Sequence, residues 1–436
     1  MVAVAIHFVI VRLAKSWKFR LNKNNSNLLP RTPGAICVMR NTELSMSKII
    51  LESVTMMTLD EGSEVIVAAS WLKQRVQEVL IANPWLASRL CTEKSNPTLF
   101  VPLNVSDDAL NKCFSHEVTN DISECIKEVL QSTRSTSSSV NKDEPLWKVT
   151  MITSPNSREA ALVMSLNHVI GDGATFYEVY GMLSHAENVH KLVFGQLEPI
   201  NHPEDSKLTF LALAPLVLII LGRFLLYLFR GCKHQMVTKS KIISPAWLEH
   251  EKRMYEETRS KDDSAYISTN DILVSWLLRS APSVTVNVNI RNRFEGVFGN
   301  MAGNFLSKVI FSEGDSNFGT IRKRIADIAS HLQKPRDAIR NSRYISLFKN
   351  GFIFTTNLCS FFRELVIPGS SHKFHHMNIY TSDFGYIQYL LGVRSVLWIY
   401  RPTKDSIAVN SVSYSCNEFA GFEIPIPGSF FTPLTT

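Results

Sequence analysis

Residues 160–166, Ala-Ala-Leu-Val-Met-Ser-Leu, are an almost unbroken apolar run. A short run of this kind, closed by a glycine-containing turn, predicts a strand buried on both faces. The turn reads His168-Val169-Ile170-Gly171-Asp172-Gly173, and residues 174–183 after it place apolar side chains at helical spacing. His168 is thus expected at the C-terminal end of a core strand, on a turn leading into a helix, where open α/β sheets bind ligands. A helical period also runs through Val65, Ala68, Ala69, Leu72, Val76, Val79 and Leu80 and stops at Asn83-Pro84. A later helix is predicted from a Thr269 or Asn270 cap through Ser280. Strict alternation over residues 284–290 predicts a half-buried strand that delivers Arg291 and Arg293 just past its end. Residues 393–400 and 407–414 also read as strands, and residues 132–139 as a solvated Ser/Thr-rich loop, a place where a phosphosite is conceivable.

Two stretches break the globular pattern. Residues 1–11 are apolar and are followed by Arg12, Lys15, Lys18, Arg20 and Lys23. The run is too short to span a bilayer and has its charges on the wrong side for a signal peptide, which leaves a membrane-surface anchor or a disordered leader. Residues 208–229 are apolar apart from Thr209, Pro215, Gly222 and Arg223. As helix they would reach about 33 Å, with Arg223 placed to snorkel toward headgroups and a basic flank of Arg230, Lys233, Lys239 and Lys241 on the cytosolic side. The expected organisation is a lead-in over 1–35, an N-terminal lobe over 36–195, a linker with the membrane-associating segment over 196–243, and a C-terminal lobe over 244–436. No internal repeat is visible.

Composition narrows the class. The 436 residues are 45% hydrophobic and 19% charged, with a net charge of +7, which suits a globular chain with some membrane affinity. With no nucleic-acid motif, the positive excess is read as attraction to anionic lipid or a polyanionic cosubstrate such as coenzyme A. Seven cysteines, an odd number without a C-x-x-C pair, argue against a disulfide framework and a zinc finger. Cys232 is at most a palmitoylation candidate. His372, His375 and His376 lie near Pro368-Gly369 with no Cys or carboxylate close by, and are read as surface histidines on a loop rather than a metal cluster. No G-x-S-x-G elbow is present.

The chemistry then falls to His168, whose imidazole can take a proton from an alcohol near neutral pH. Gly171 and Gly173 are expected to supply backbone angles closed to other residues. Asp172 is expected to anchor the turn. The His168–Gly173 pattern resembles the HxxxDG active-site motif of the chloramphenicol acetyltransferase-like superfamily, which includes BAHD acyltransferases, wax ester synthases and condensation domains. Further segments resemble the same superfamily in the same order: Asn83–Leu90, Glu144–Lys148, Ser268–Leu273, Asn289–Arg293 with Gly299–Phe305, and Asp383-Phe384-Gly385. The likeness covers roughly residues 50–418. Asn167 stands where wax synthases and condensation domains have a first His, and Tyr386-Ile387 replaces the Trp-Gly after DFG.

The resemblance implies a two-lobed α/β fold of mixed sheets with flanking helices and an interlobe tunnel. It implies acyl transfer from acyl-CoA, as cosubstrate rather than bound cofactor, to a hydroxyl, with His168 as general base and no metal. It makes Asp172 a structural residue paired to Arg291 or, second, Arg293, and makes Gly173, Asp383 and Gly385 architectural. Asn304, Asn357 and Ser382 are candidates to bind substrate or the oxyanion. The apolar segment points to a lipophilic acceptor or long acyl chain, as in wax ester or glycerolipid synthesis, and to a membrane surface facing the cytosol, the endoplasmic reticulum being one possibility; a monomer is expected. Since both lobes of that fold build one site, residues 208–229 would then re-enter, lie on the surface or sit in one leaflet, rather than span. The rivals are a condensation-type transferase using a carrier-bound thioester and a non-catalytic lipid-binding relative.

Overall fold

The computed structural model describes residues 36–38, 45–62, 65–93, 96–102, 104–137, 141–195, 218–223, 235–260, 266–279, 281–293, 296–328, 350–381, 392–415 and 431–433. The chain divides into two units. The first holds residues 1–197 and two later pieces, 300–304 and 363–382; the second holds 198–299, 305–362 and 383–436. By sequence order both later pieces would belong to the C-terminal lobe. One of them proves to be part of the site.

The first unit is built on a mixed five-stranded sheet. Its strands are β1 (Ile49–Leu59), β2 (Phe114–Val118), β3 (Trp147–Thr153), β4 (Glu159–Asn167) and β5 (Ser370–Thr381). Their spatial order is β5-β1-β4-β3-β2, antiparallel except for the parallel β2–β3 pair. Strand β4 is the apolar run, buried at every position after Glu159. Helices α1 (Val65–Ala82), α2 (Ile122–Ser137) and α3 (Gly173–Met182) belong to the same unit. Helix α2 covers one face of the sheet, with Cys125, Ile126, Val129 and Leu130 against Ile152, Ala161 and Val163. Helix α3 lies on the other face, against Thr55 of β1 and His375 of β5.

Two expectations fail here for the same reason: distant partners override local propensity. Residues 132–137, read as a loop, are the last turns of α2. Thr133 is buried there, and Arg134 grips the buried Glu52 of β1 at 2.7 Å. His372, His375 and His376, read as surface loop histidines, are on strand β5, and His375 is fully buried.

The second unit carries a seven-stranded sheet in the spatial order Leu306–Ser312, Ser283–Asn289, Phe352–Asn357, Val393–Tyr400, Ala408–Ser415, Gln235–Ile243, Phe431–Pro433. Helices Pro245–Thr258, Thr269–Leu278 and Phe318–Ala326 accompany it. The cap of the middle helix is Ser268 rather than Thr269 or Asn270, in a reciprocal capping box with Asp271.

Of residues 208–229, only 218–223 fall among the described residues, and they are helical. Leu218 is exposed, but Arg223, expected at headgroups, is buried, its guanidinium packed over Gly392. That glycine holds φ +79°, and the missing Cβ leaves the guanidinium its room. Among the described residues no helix is long and apolar enough to cross a membrane. The proposed anchor at residues 1–11 and Cys232 lie outside the described residues.

Candidate active site

The site begins where β4 runs out. Asn167, fully buried, builds the turn: its Nδ2 donates to the Ser47 carbonyl at 2.7 Å and its Oδ1 accepts from Val169 N–H at 3.0 Å. Its own carbonyl accepts from Ile170 N–H at 3.1 Å. Asn suits this place because its side chain folds back on the next backbone amides. What looked in sequence like a lost histidine is here a turn-forming residue.

His168 is held by both of its backbone groups. Its N–H donates to the Ile49 carbonyl on β1 at 2.9 Å, and its carbonyl accepts from Asn304 Nδ2 at 2.8 Å. The side chain stays partly accessible. Nδ1 is buried and has no hydrogen-bond partner among the described residues. Burial pushes the imidazole below its ordinary pKa, opposed in turn by its own backbone, the Asp172 charge and Asn304. A histidine kept neutral in this way is ready to accept a proton at physiological pH.

Asp172 is fully buried and caps α3: Oδ1 accepts from Thr175 N–H at 2.9 Å and lies 3.1 Å from the Thr175 hydroxyl. Asp172 N–H donates to the Gly303 carbonyl at 3.2 Å, and Gly303 N–H donates to Thr175 Oγ1 at 3.1 Å. The segment 300–304 therefore clamps the turn from outside through Gly303 and Asn304. Gly303 itself, at φ +134°, sits in backbone space that favours glycine. Neither Gly171 nor Gly173 is at positive φ, so the expectation for those two glycines is corrected. Gly171 is needed for space, since a Cβ would come within 2.7 Å of Thr175 Cγ2 and 3.0 Å of Leu166 Cδ2. Gly173 is the buried first residue of α3.

The structure thus brings His168, Asp172, Gly173 and Asn304 together in the first unit. The Asn304 amide braces the turn by donating to the His168 carbonyl; its Oδ1 has no partner among the described residues. Asn357 lies in the second unit, where Nδ2 donates to Asn270 Oδ1 at 3.1 Å and Oδ1 accepts from Cys359 N–H. Arg291 is buried, bonded to Asn289 Oδ1 and stacked over Phe305 at 4.8 Å. Arg293 is exposed and donates to the Ile325 carbonyl. Ser382, Asp383 and Gly385 lie outside the described residues.

Among the described residues no group of three or more His, Cys, Asp or Glu side chains is arranged to hold a metal. Cys113 and Cys359 are free thiols whose pKa burial raises to about 12, far from the thiolate a nucleophile needs.

No family model and no curated protein matches the chain in sequence. Solved structures match it in shape. TRI101 of F. graminearum, complexed with coenzyme A and deoxynivalenol, aligns over 87% of this chain and 95% of its own at TM-score 0.55 and 12% identity. The TRI3 trichothecene 15-O-acetyltransferase of Fusarium sporotrichioides aligns over 92% and 98% at TM-score 0.54 and 9% identity. The chain has the chloramphenicol acetyltransferase-like fold. The first condensation domain of the calcium-dependent antibiotic synthetase aligns over 88% and 91% at TM-score 0.55 and 11% identity. This fold is therefore shared with an acetyltransferase and with a condensation domain.

Proposed function

We propose that the protein is an acyl-CoA-dependent O-acyltransferase with His168 as its general base. The observation that carries this reading is the His168 ring: pinned through its backbone, partly accessible, and lowered in pKa by burial. The acceptor hydroxyl gives its proton to Nε2 as its oxygen attacks the thioester carbonyl. The tetrahedral intermediate then collapses: the C–O bond is kept, the C–S bond breaks, and the imidazolium returns the proton to the departing thiolate. Ester and free coenzyme A thiol result, and no acyl-enzyme forms. Asp172 holds the turn rather than taking a proton. Of the two candidate arginines Arg291 is the buried one, which favours a structural role for it.

TRI101 solved with coenzyme A and deoxynivalenol, and the acetyltransferase TRI3, support a CoA donor and a small hydroxylated acceptor. The apolar composition of residues 208–229 supports a lipophilic acceptor and a membrane-surface placement, and the basic flank of Arg230, Lys233, Lys239 and Lys241 supports a cytosolic side. Carrier-bound donors are the second reading, favoured by the likeness to a condensation domain. Against it stands Asn167, whose side chain is locked in the turn where those domains have their first His. The test is thiol release from acetyl-CoA and palmitoyl-CoA over a panel of alcohols, with ester products read by mass spectrometry. Acceptor-dependent release with an ester product supports the proposal. Transfer from an acyl-carrier protein alone, or no transfer from either donor, overturns it.

A further inference from the structure

Behind the catalytic turn lies a polar cluster that the reaction does not use. Thr55 of β1, His375 of β5 and Tyr177 and Tyr180 of α3 are all essentially fully buried. His375 Nδ1 lies 3.0 Å from Thr55 Oγ1, and Nε2 lies 3.1 Å from the Tyr177 hydroxyl. Thr55 Oγ1 is also 2.7 Å from the Tyr180 hydroxyl. The tyrosine rings flank the imidazole at centroid distances of 5.7 and 5.0 Å. Burial, with His372 and His376 nearby, lowers the His375 pKa to about 3. The ring therefore stays neutral, with one nitrogen donating and the other accepting.

Such a cluster adds little net stability over a well-packed apolar core, because desolvation offsets much of each bond. What it adds is direction. Tyr177 and Tyr180 are three residues apart and share one face of α3. Two hydrogen-bonded hydroxyls on that face fix the rotation of the helix about its axis, which apolar contacts alone leave looser. Strand β1 is the common rail. It receives the His168 N–H at Ile49 and carries the cluster at Thr55. Helix α3 begins at Gly173, directly after its cap Asp172 in the His168 turn. The turn is thus tied to β1 at one end and, through the helix, at the other.

We propose that His375 is a positioning residue for the transfer reaction: bonded on both ring nitrogens, it fixes the rotation of α3 against β1 and β5 and thereby the place of the His168 ring. This rests on the reading of His168 as general base. Displacing a base by about 1 Å costs up to ~10²-fold in rate, so His375→Met and Tyr177→Phe should each lower kcat by roughly 10- to 100-fold at 20 °C, with KM within about two-fold. His375→Gln, which can reach Tyr177 with its amide, should recover most of the loss. The double variant His375→Met with Tyr177→Phe should be no slower than His375→Met, because both remove one shared bond. Unchanged kcat per folded molecule, or a loss confined to KM, overturns the proposal. Hydrogen exchange of the α3 amides, such as Phe176, gives a readout free of turnover. Protection should fall in His375→Met, and equal protection in both proteins refutes the lock. If the wild-type protein turns over no acyl donor, the function reading fails while the exchange experiment still judges the cluster.

Discussion

Replacing Arg134 with methionine would strand a carboxylate in the sheet. Glu52 is fully buried on β1. Arg134 holds it with two nitrogens, Nε at 2.9 Å from Oε1 and Nη2 at 2.7 Å from Oε2, and Asn378 Nδ2 adds a bond at 3.0 Å. The guanidinium also stacks 4.5 Å over Tyr380. Removing one partner of a buried pair costs about 3–5 kcal/mol because the other charge is left uncompensated. Asn378 keeps one bond to the charge, so the cost should fall near the lower end, about 3 kcal/mol at pH 7.5. The pH dependence fixes the cause. Burial already raises the Glu52 pKa, against the pull of Arg134, and losing Arg134 raises it further. A raised acid pKa means that the folded state binds the proton more tightly than the unfolded one. The penalty is therefore absent below the unfolded value and grows as pH rises through the window up to the folded one. Urea denaturation followed by tryptophan fluorescence should show a smaller defect at pH 5 than at pH 7.5, and Glu52→Gln should rescue most of it. A defect below about 1 kcal/mol, typical of an exposed pair, or one equal at both pH values, would refute the argument.

Gly171→Ala should cost about 1–3 kcal/mol by overpacking against Thr175 and Leu166, visible as a lower denaturation midpoint with kcat reduced alongside. The acid limb of kcat/KM should lie below the ordinary histidine value of about 6.5, because burial lowers the His168 pKa; the neutral base persists as pH falls and is lost only below that limb. A limb above 6.5 would contradict the burial argument. Asp172→Asn keeps an N-cap of nearly equal quality, so circular dichroism should show the fold retained. Removing the negative charge should nonetheless move the acid limb further down, since that charge favours the protonated His168 ring.

The strand–turn–helix unit around His168 was legible because the pattern changes period there. Buried apolar residues in continuous sequence give way to helical spacing, and structure and reading agree within a residue on β4 and α3. Strand β1 was not legible. Glu52, Ser53 and Thr55 put polar groups on both faces and erase its alternation; Glu52 and Thr55 are satisfied by Arg134 and His375, far off in sequence. Strand β5 was hidden in the same way by its histidines, and the end of α2 by its serines and threonines. At the site, resemblance marked Asn304 as important, but only the structure shows that its amide donates to the His168 carbonyl. Gly171 was noticed for backbone freedom, whereas its neighbours show that the constraint is room for Thr175.

Single-turnover ester formation by wild-type protein and by His168→Ala, with one accepting alcohol and one acyl-CoA, tests the assignment of the base most directly. A positioned general base contributes about 10²–10⁴-fold, so the variant should lose that much in rate while its circular dichroism spectrum and its affinity for the donor stay unchanged. Ester formation by His168→Ala at the wild-type rate would contradict the account.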